Sequence, residues 1–218
     1  MNKKTLIVLS AAIFFFALIW GCGRPLHKHF YVLNYTPDRF EDRRMGANNP
    51  YPVTIRLRPF EIERAYARPN IVFRENPFRL DFYPDHLWAV RPADMITDLI
   101  FNHFTTINIV ENVTRRLDER APDFELTGTV SAIEEFNSGD LWYAHLRISF
   151  VLTDFRTDRT VYSRVFSLTR PVPAKNPLSV VMVLSEIISF IASHLMKDID
   201  KTLYEILMSN QEAPSNAR

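Results

Sequence analysis

The chain has 218 residues, of which 47% are hydrophobic and 23% are charged, a balance typical of a globular protein. Its 26 Lys and Arg are matched by 25 Asp and Glu, so the net charge of +1 gives no basic surface of the kind that binds nucleic acid. A single cysteine excludes an intramolecular disulfide and a thiolate zinc site, and the five glycines form none of the motifs that bind nucleotides or hold a catalytic serine.

The first 21 residues have the composition of a secretory signal peptide. Lys3 and Lys4 precede an apolar stretch, residues 6–20, that only Ser10 interrupts. This stretch is shorter than the ~20 residues that span a bilayer, so a permanent transmembrane anchor is the weaker interpretation. The only cysteine, Cys22, lies where cleavage would fall.

This arrangement resembles the lipobox of bacterial lipoproteins, in which a small residue precedes a cysteine that becomes acylated. Here Gly21 precedes Cys22. The resemblance implies that residues 1–21 are removed and that Cys22 carries a lipid anchor, palmitate included, at the start of a tether over residues 22–29. Two or more acyl chains hold a protein durably at a bilayer. Gly23 stands where Asp commonly signals retention at the inner membrane, so the outer membrane is favoured. The alternative is an ordinary hydrophobic start with a buried cysteine.

The first half of the remaining chain predicts short strands and one helix. Val53, Ile55 and Leu57 alternate with polar residues, which indicates a strand with one buried face. Pro92 and the apolar residues that follow at helical spacing predict a helix over residues 91–104. Further strands are predicted over residues 30–35, 70–75, 78–83 and 107–110, with an exposed loop over residues 36–52.

The second half predicts an antiparallel sheet followed by a long helix. A strand begins at Phe124, and apolar residues alternate from Trp142 to Leu152, which indicates a long, half-buried strand. Residues 157–159 form a predicted turn, from which residues 161–168 return as the hairpin partner. Apolar residues at intervals of three and four predict a helix over residues 178–208, and the polar residues 209–218 are predicted to be disordered.

These elements predict one domain, over residues 30–208, of α/β class with α+β character. We expect a mixed, largely antiparallel, curved sheet with two main helices packed on one face.

Several segments together resemble one family, the PqiC-type ABC transport auxiliary lipoproteins. The sequence FYVL at residues 30–33 is similar to the family's opening, and RPNIVFR at residues 68–74 is similar to its most recognisable segment. In the second half, FELTGTV at residues 124–130 and LTD at residues 152–154 resemble the family's paired strands. The likeness spans residues 28–207 and depends on the order and spacing of these segments.

The resemblance implies an outer-membrane lipoprotein that faces the periplasm and contributes no catalysis. Members of this family work with an ABC permease and ATPase and with a tunnel protein of the mammalian-cell-entry (MCE) type, which together move lipids between membranes. Some relatives assemble into rings, so a homo-oligomer is expected. The alternative is an envelope lipoprotein that docks on and regulates a periplasmic enzyme or assembly complex.

The histidines do not form a recognisable metal site. His27 and His29 lie on the same side of an extended segment, but two imidazoles are too few ligands and no carboxylate lies within this tether. We therefore expect no metal and no cofactor.

The carboxylates likewise give no catalytic signature. Glu134 and Glu135 are adjacent, and Asp198 and Asp200 lie on diverging faces, whereas acid–base catalysis needs a facing pair. We expect these groups to be solvated and expect no catalytic residues. A periplasmic hydrolase is a third and weak hypothesis, since no set of nucleophile, base and orienting residue is evident.

The start of the last helix is apolar on nearly every side. Residues 178–196 contain one formal charge, Glu186. A second transmembrane span is possible by length, but the amphipathic pattern continues to Ile206, which favours a core helix. Val180, Val181 and Val183 add apolar surface, and we hypothesise that they contact a neighbouring subunit or partner.

Overall fold

The computed structural model describes residues 27–37, 49–117 and 121–212, with side chains to residue 209. Within these residues, nine strands and two helices follow one another along the chain. In order they are β1 (His29–Tyr31), β2 (Tyr51–Leu57), β3 (Glu61–Ile62), β4 (Asn70–Asn76), β5 (Arg79–Trp88), α1 (Pro92–Ile107), β6 (Val110–Thr114), β7 (Phe124–Ser138), β8 (Leu141–Asp154), β9 (Arg159–Pro171) and α2 (Pro177–Glu212).

The sheet is mixed and open, with β7 at its centre. Along one side of β7 lie β2, β3 and β4 in succession, all parallel to it, and along the other side lies β8, antiparallel, followed by β9. Strand β5 continues the sheet from β4, β1 pairs with β5 in parallel, and β6 pairs with β2 in parallel. The prediction of a mixed α/β fold is confirmed. The antiparallel pairs are the longest, although most of the described strand pairs are parallel.

The core lies between the inner face of the sheet and the two helices. On β8, Leu146, Ile148 and Phe150 are buried on this face, against residues such as Leu184 and Leu195 of α2. Their alternation along β8 is the period-two pattern of a strand with one solvated face. Each fully buried side chain of this size contributes about 1.5–3 kcal/mol, so this face accounts for much of the stability.

Helix α1 ends later than its pattern predicts. Pro92 occupies the first turn, and Asp94 pairs with Arg91 at 2.8 Å. The helix continues to Ile107, where Asn108 adopts a left-handed conformation (φ 54°) and its N–H donates to the carbonyl of Phe104. The predicted strand over residues 107–110 is therefore displaced, because Asn108 caps the helix before β6 begins at Val110.

Other boundaries also differ from prediction. Strand β1 is only three residues long, and the long helix continues to Glu212, into the segment predicted to be disordered. Strand β7 runs to Ser138, and its pairing with β8 has a register shift between Val130 and Ala132. Most of the predicted loop over residues 36–52 and residues 213–218 lie outside the described residues.

In the described part of the chain, one helix is long and apolar enough to cross a membrane. This helix spans Pro177–Ser209, and 56% of its most apolar stretch is buried inside the domain. Such burial is expected of a core helix, as the amphipathic pattern predicts.

Candidate functional site

The predicted lipid-attachment residue, Cys22, lies outside the described residues. The description of the N-terminal segment starts at His27, and the chain then enters β1 at one edge of the sheet. The anchor remains a prediction from the sequence.

The structure corrects the exposure assigned to three valines of α2. Val180, Val181 and Val183 are 0%, 4% and 5% exposed, so they pack inside their own subunit and leave no surface for a neighbour. The sequence pattern misplaced them because the start of α2 is covered by the sheet on most of its circumference. The exposed apolar residues here are Leu178 and Met182.

An open groove of about 670 Å³ follows this exposed side of α2. Its floor is the helix, and its two walls come from opposite edges of the sheet: the segment after β1 and Arg170 of β9. Its lining comprises Val32, Asn34, Tyr35, Thr36, Arg170, Leu178, Val181, Met182, Ser185, Glu186, Ser189, Phe190 and Ser193. A groove of this size, largely apolar with a few polar groups, is typical of a binding site for a small molecule or a chain segment.

The polar groups of the groove are mostly engaged within the protein. Ser185 Oγ donates to the carbonyl of Val181 at 2.9 Å and accepts from the N–H of Asn34 at 3.1 Å, which holds the segment after β1 against the helix. Arg170 lies over the ring of Phe190, 5.1 Å from its centroid, and 3.9 Å from Glu186. The groove therefore presents apolar surface and one half-exposed ion pair, which suits binding of an amphiphile.

A second polar cluster surrounds Glu134 on the other face of the sheet. Tyr66 Oη donates to Glu134 Oε2 at 2.7 Å, and Arg74 Nε donates to the same oxygen at 3.0 Å. His145 Nδ1 lies 3.2 Å from Oε1. Burial desolvates Glu134, but these hydrogen bonds and the Arg74 charge outweigh that effect and hold the pKa of Glu134 below its usual range.

This cluster extends to Ser167 on β9. Ser167 Oγ lies 3.4 Å from His145 Nε2. Ser167, His145 and Glu134 therefore form a row of contacts that crosses β9, β8 and β7. Sequence reasoning missed this set, since the three residues come from separate strands whose register no local pattern reveals. The serine–histidine distance exceeds the 2.6–3.2 Å expected of a catalytic pair, and Ser167 is exposed on a strand at the sheet edge.

The expectation of solvated carboxylates is wrong for three residues. Glu134 is 4% exposed and Glu135 is fully buried, where it accepts from Tyr83 Oη at 2.9 and 3.0 Å. Desolvation raises the pKa of Glu135, against hydrogen bonds from Asn137 and Tyr83. Asp200 is buried as well and accepts from Tyr51 Oη at 2.8 Å. Each of these carboxylates is buried because a tyrosine from another part of the chain satisfies it.

The N-terminal histidines pack on the domain. The rings of His29 and His86 stack at 5.1 Å, and His27 lies edge-on to His29 at 5.0 Å. Tyr31 Oη is 2.7 Å from His86 Nδ1. No group of three or more His, Cys, Asp and Glu side chains among the described residues is placed to hold a metal ion.

Comparisons with known proteins place the chain in one family. A family model described as the ABC-type transport auxiliary lipoprotein component matches residues 31–195. The crystal structure of protein XCC0632 from Xanthomonas campestris is similar, with a TM-score of 0.72 and 19% identity, over 83% of this chain and 99% of that one. Another crystal structure, of an uncharacterized protein, has a TM-score of 0.62 and 13% identity, over 79% of this chain and 99% of that one. No curated protein matches the chain. Because the family model covers most of its length, the chain belongs to the ABC-type transport auxiliary lipoprotein component family.

Proposed function

We propose that the chain is an outer-membrane lipoprotein that serves as a non-enzymatic auxiliary component of an ABC/MCE-type intermembrane lipid-transport system. The family match carries this proposal, because residues 31–195 include β2 to β9, all of α1 and the first half of α2. In this proposal, acyl chains on Cys22, palmitate among them, tether the domain to the membrane so that it faces the periplasm.

The chemistry of the groove supports a binding role. Its described lining combines apolar side chains of α2 with one cation, Arg170, and its serines Ser185 and Ser193 donate to backbone carbonyls of their own helix. These groups offer contact area to a lipid or to a protein partner.

The Ser167 cluster gives the hydrolase alternative a direct test. We expect no reaction between Ser167 and a fluorophosphonate probe, because Glu134 is already shared with Arg74 and Tyr66 and the serine stands on an open strand. Labelling would be followed by mass spectrometry of the tryptic peptides, with Ser167→Ala and the neighbouring Ser163→Ala as a matched pair. Probe on Ser167 that His145→Gln abolishes would contradict a non-enzymatic role.

The partners can be identified by cross-linking in intact cells, followed by purification of the lipidated chain from membranes. The proposal predicts an ABC permease, its ATPase and an MCE-type tunnel protein among the cross-linked products. Cys22→Ser, which cannot be acylated, should lose these partners while keeping its fold. A periplasmic enzyme such as a cell-wall synthase, recovered in place of the transporter, would instead favour the regulatory alternative.

The proposal includes a homo-oligomer. Its contact surface must differ from the three-valine surface of α2 that the sequence predicts. Val180, Val181 and Val183 are buried in the subunit, so contacts between copies would use other surfaces. Light scattering of the purified chain measures the mass directly, and a monomer at cellular concentration would remove this part of the proposal.

A further inference from the structure

The tip of the hairpin between β4 and β5 carries a fully exposed aromatic side chain. Phe78 is 99% exposed, the highest value among the exposed large hydrophobic residues. Leaving a phenylalanine side chain in water forgoes the favourable free energy that its burial would supply. An apolar side chain held clear of the domain is therefore a candidate contact residue.

Two hydrogen bonds hold the backbone of the hairpin tip. The N–H of Phe78 donates to Asn76 Oδ1 at 3.0 Å, and Arg74 Nη1 donates to the carbonyl of Pro77 at 3.0 Å. The same arginine is bonded to the buried Glu134, which ties the tip to the centre of the sheet. The aromatic ring is thus presented on a rigid support, which lowers the entropic cost of its binding.

The direction of β1 brings the tether toward this tip. Strand β1 is parallel to β5, with His29 opposite His86, so the chain enters β1 from the side where β5 begins at Arg79. Cys22 lies seven residues before His29, and Arg79 lies seven residues before His86. A chain of seven residues spans at most about 25 Å, and the same number of residues in a strand measures about 23 Å. The reach of the tether therefore matches the distance from β1 to the hairpin tip.

Two further apolar residues lie at the same end of the sheet. Leu141 follows the turn between β7 and β8 and is exposed, and Leu178 is exposed at the start of α2. Strand β4 is parallel to β7, so the β4–β5 and β7–β8 turns lie at the same end of the sheet. Strand β9 ends beside the start of β8, which places the start of α2, the next element in the chain, near that end as well. We call Phe78, Leu141 and Leu178 the apolar tip.

The described charges near the apolar tip include two ion pairs and one exposed carboxylate, Glu75, for which the described residues provide no ion pair. Arg79 contacts Asp81 at 2.7 Å, and Lys175 contacts Asp140 at 3.5 Å. Such exposed pairs leave little net charge to attract an acidic or a basic protein surface. Insertion of apolar side chains into a lipid interface needs no charge complementarity.

We propose that the apolar tip rests on the bilayer to which the chain is tethered, with the Phe78 ring inserted among the acyl chains. The occupant of this surface is a phospholipid membrane. The inference uses only one element of the proposed function, the acylated Cys22, and is independent of what the domain transports or contacts. It fixes the orientation of the domain, in which β4 and β7 run toward the membrane and β5 and β8 run away from it.

The test uses the acylated full-length product, purified from membranes and reconstituted into phosphatidylcholine vesicles with brominated acyl chains. Phe78→Trp adds a tryptophan at the apolar tip, and Phe155→Trp, after the far end of β8, is the matched control. Each variant is compared with the parent chain, which contributes the constant signal of Trp88 and Trp142. We expect the added fluorescence of Phe78→Trp to be blue-shifted on membrane binding and to be mostly quenched by the brominated acyl chains. The added fluorescence of Phe155→Trp should be neither shifted nor quenched.

The outcomes separate this inference from the proposed function. Flotation of the vesicles with bound protein but without quenching of Phe78→Trp would overturn the membrane contact and leave the anchor intact. Absence of flotation for the parent chain would overturn the anchor and the inference together. Equal quenching at both positions would also contradict a defined orientation. A lower mass of Phe78→Ser in light scattering, with no quenching of Phe78→Trp, would assign the tip to a second copy of the chain instead.

Discussion

Glu134 and Glu135 are neighbours in β7, both buried, and the structure predicts opposite effects on stability when each is changed to glutamine. Glu134 meets Arg74, Tyr66 and His145 on the outer face, whereas Glu135 meets Tyr83 and Asn137 on the inner face. The pKa of Glu134 is lowered and that of Glu135 is raised. Glutamine keeps the shape and one acceptor oxygen, so each substitution removes mainly the charge.

The expected magnitudes differ accordingly. Breaking a buried ion pair by removing one partner costs about 3–5 kcal/mol. The Arg74 side chain is 22% exposed and regains part of its hydration, so we expect Glu134→Gln to lower the free energy of unfolding by about 2–4 kcal/mol at pH 7. Glu135→Gln keeps an acceptor for Tyr83 and removes a disfavoured charge, so we expect a change within about 1 kcal/mol, on the stabilising side.

The pH dependence of the free energy of unfolding tests the direction of each effect a second time. Because the folded-state pKa of Glu134 is lowered, its contribution is fully present above the unfolded value of about 4.3 and is lost as the pH falls through the folded value. The penalty of Glu134→Gln should therefore shrink on acidification. Glu135 has the reverse linkage, since ionising a group of raised pKa costs stability as the pH rises.

Urea unfolding of both variants and the parent chain, at pH 7, at pH 4 and at about pH 3, measures these differences, and the lowest pH is the one that tests Glu134. In a domain of this size, each kcal/mol also shifts Tm by about 2–4 °C. Equal destabilisation by the two substitutions, or a penalty of Glu134→Gln that does not depend on pH, would refute the assignment of a paired charge to one face and a disfavoured charge to the other.

Three further predictions concern two buried positions and the residue that follows Cys22. Gly128→Ala should destabilise the fold by about 1–3 kcal/mol in urea unfolding, since a Cβ would lie 2.8 Å from the Phe60 ring; parent-like stability would contradict this packing. Val181→Asp should unfold the domain by circular dichroism, whereas Met182→Asp beside it should leave the spectrum unchanged, because only the valine is buried; equal effects would contradict the exposure of that face. Gly23→Asp should move the acylated chain from the outer-membrane to the inner-membrane fraction of a density gradient, and an unmoved chain would argue against sorting by this residue.

Much of the fold follows from two patterns in the sequence, the period-two alternation of strands and the spacing of three and four residues in helices. The alternation from Trp142 to Leu152 and the helical spacing of α2 each identify an element whose type the structure confirms. The short strand β3 and the parallel pairing of β2, β3 and β4 with β7 could not be predicted, because they depend on register between distant segments. The end of α1 shifted for a local reason, the left-handed conformation of Asn108.

The side-chain sites were less predictable than the fold. Glu134 and Asp200 have no apolar signature in their local sequence, and their burial depends on Tyr66 and Tyr51, which lie 68 and 149 residues away. Val181 was expected to be exposed because helical periodicity gives the apolar circumference of α2 but does not show how far the curved sheet covers it. The open groove, formed by both sheet edges, follows from the same curvature.

The chemical state of the N-terminus decides whether the domain is tethered to a membrane. Intact-mass and N-terminal peptide mass spectrometry of the native chain, extracted from membranes, measures it in one experiment. We predict a chain that begins at Cys22 and carries the added mass of a diacylglyceryl group and an amide-linked acyl chain. A product that retains Met1, or one whose Cys22 is an unmodified thiol, would contradict a lipid-tethered component of the envelope.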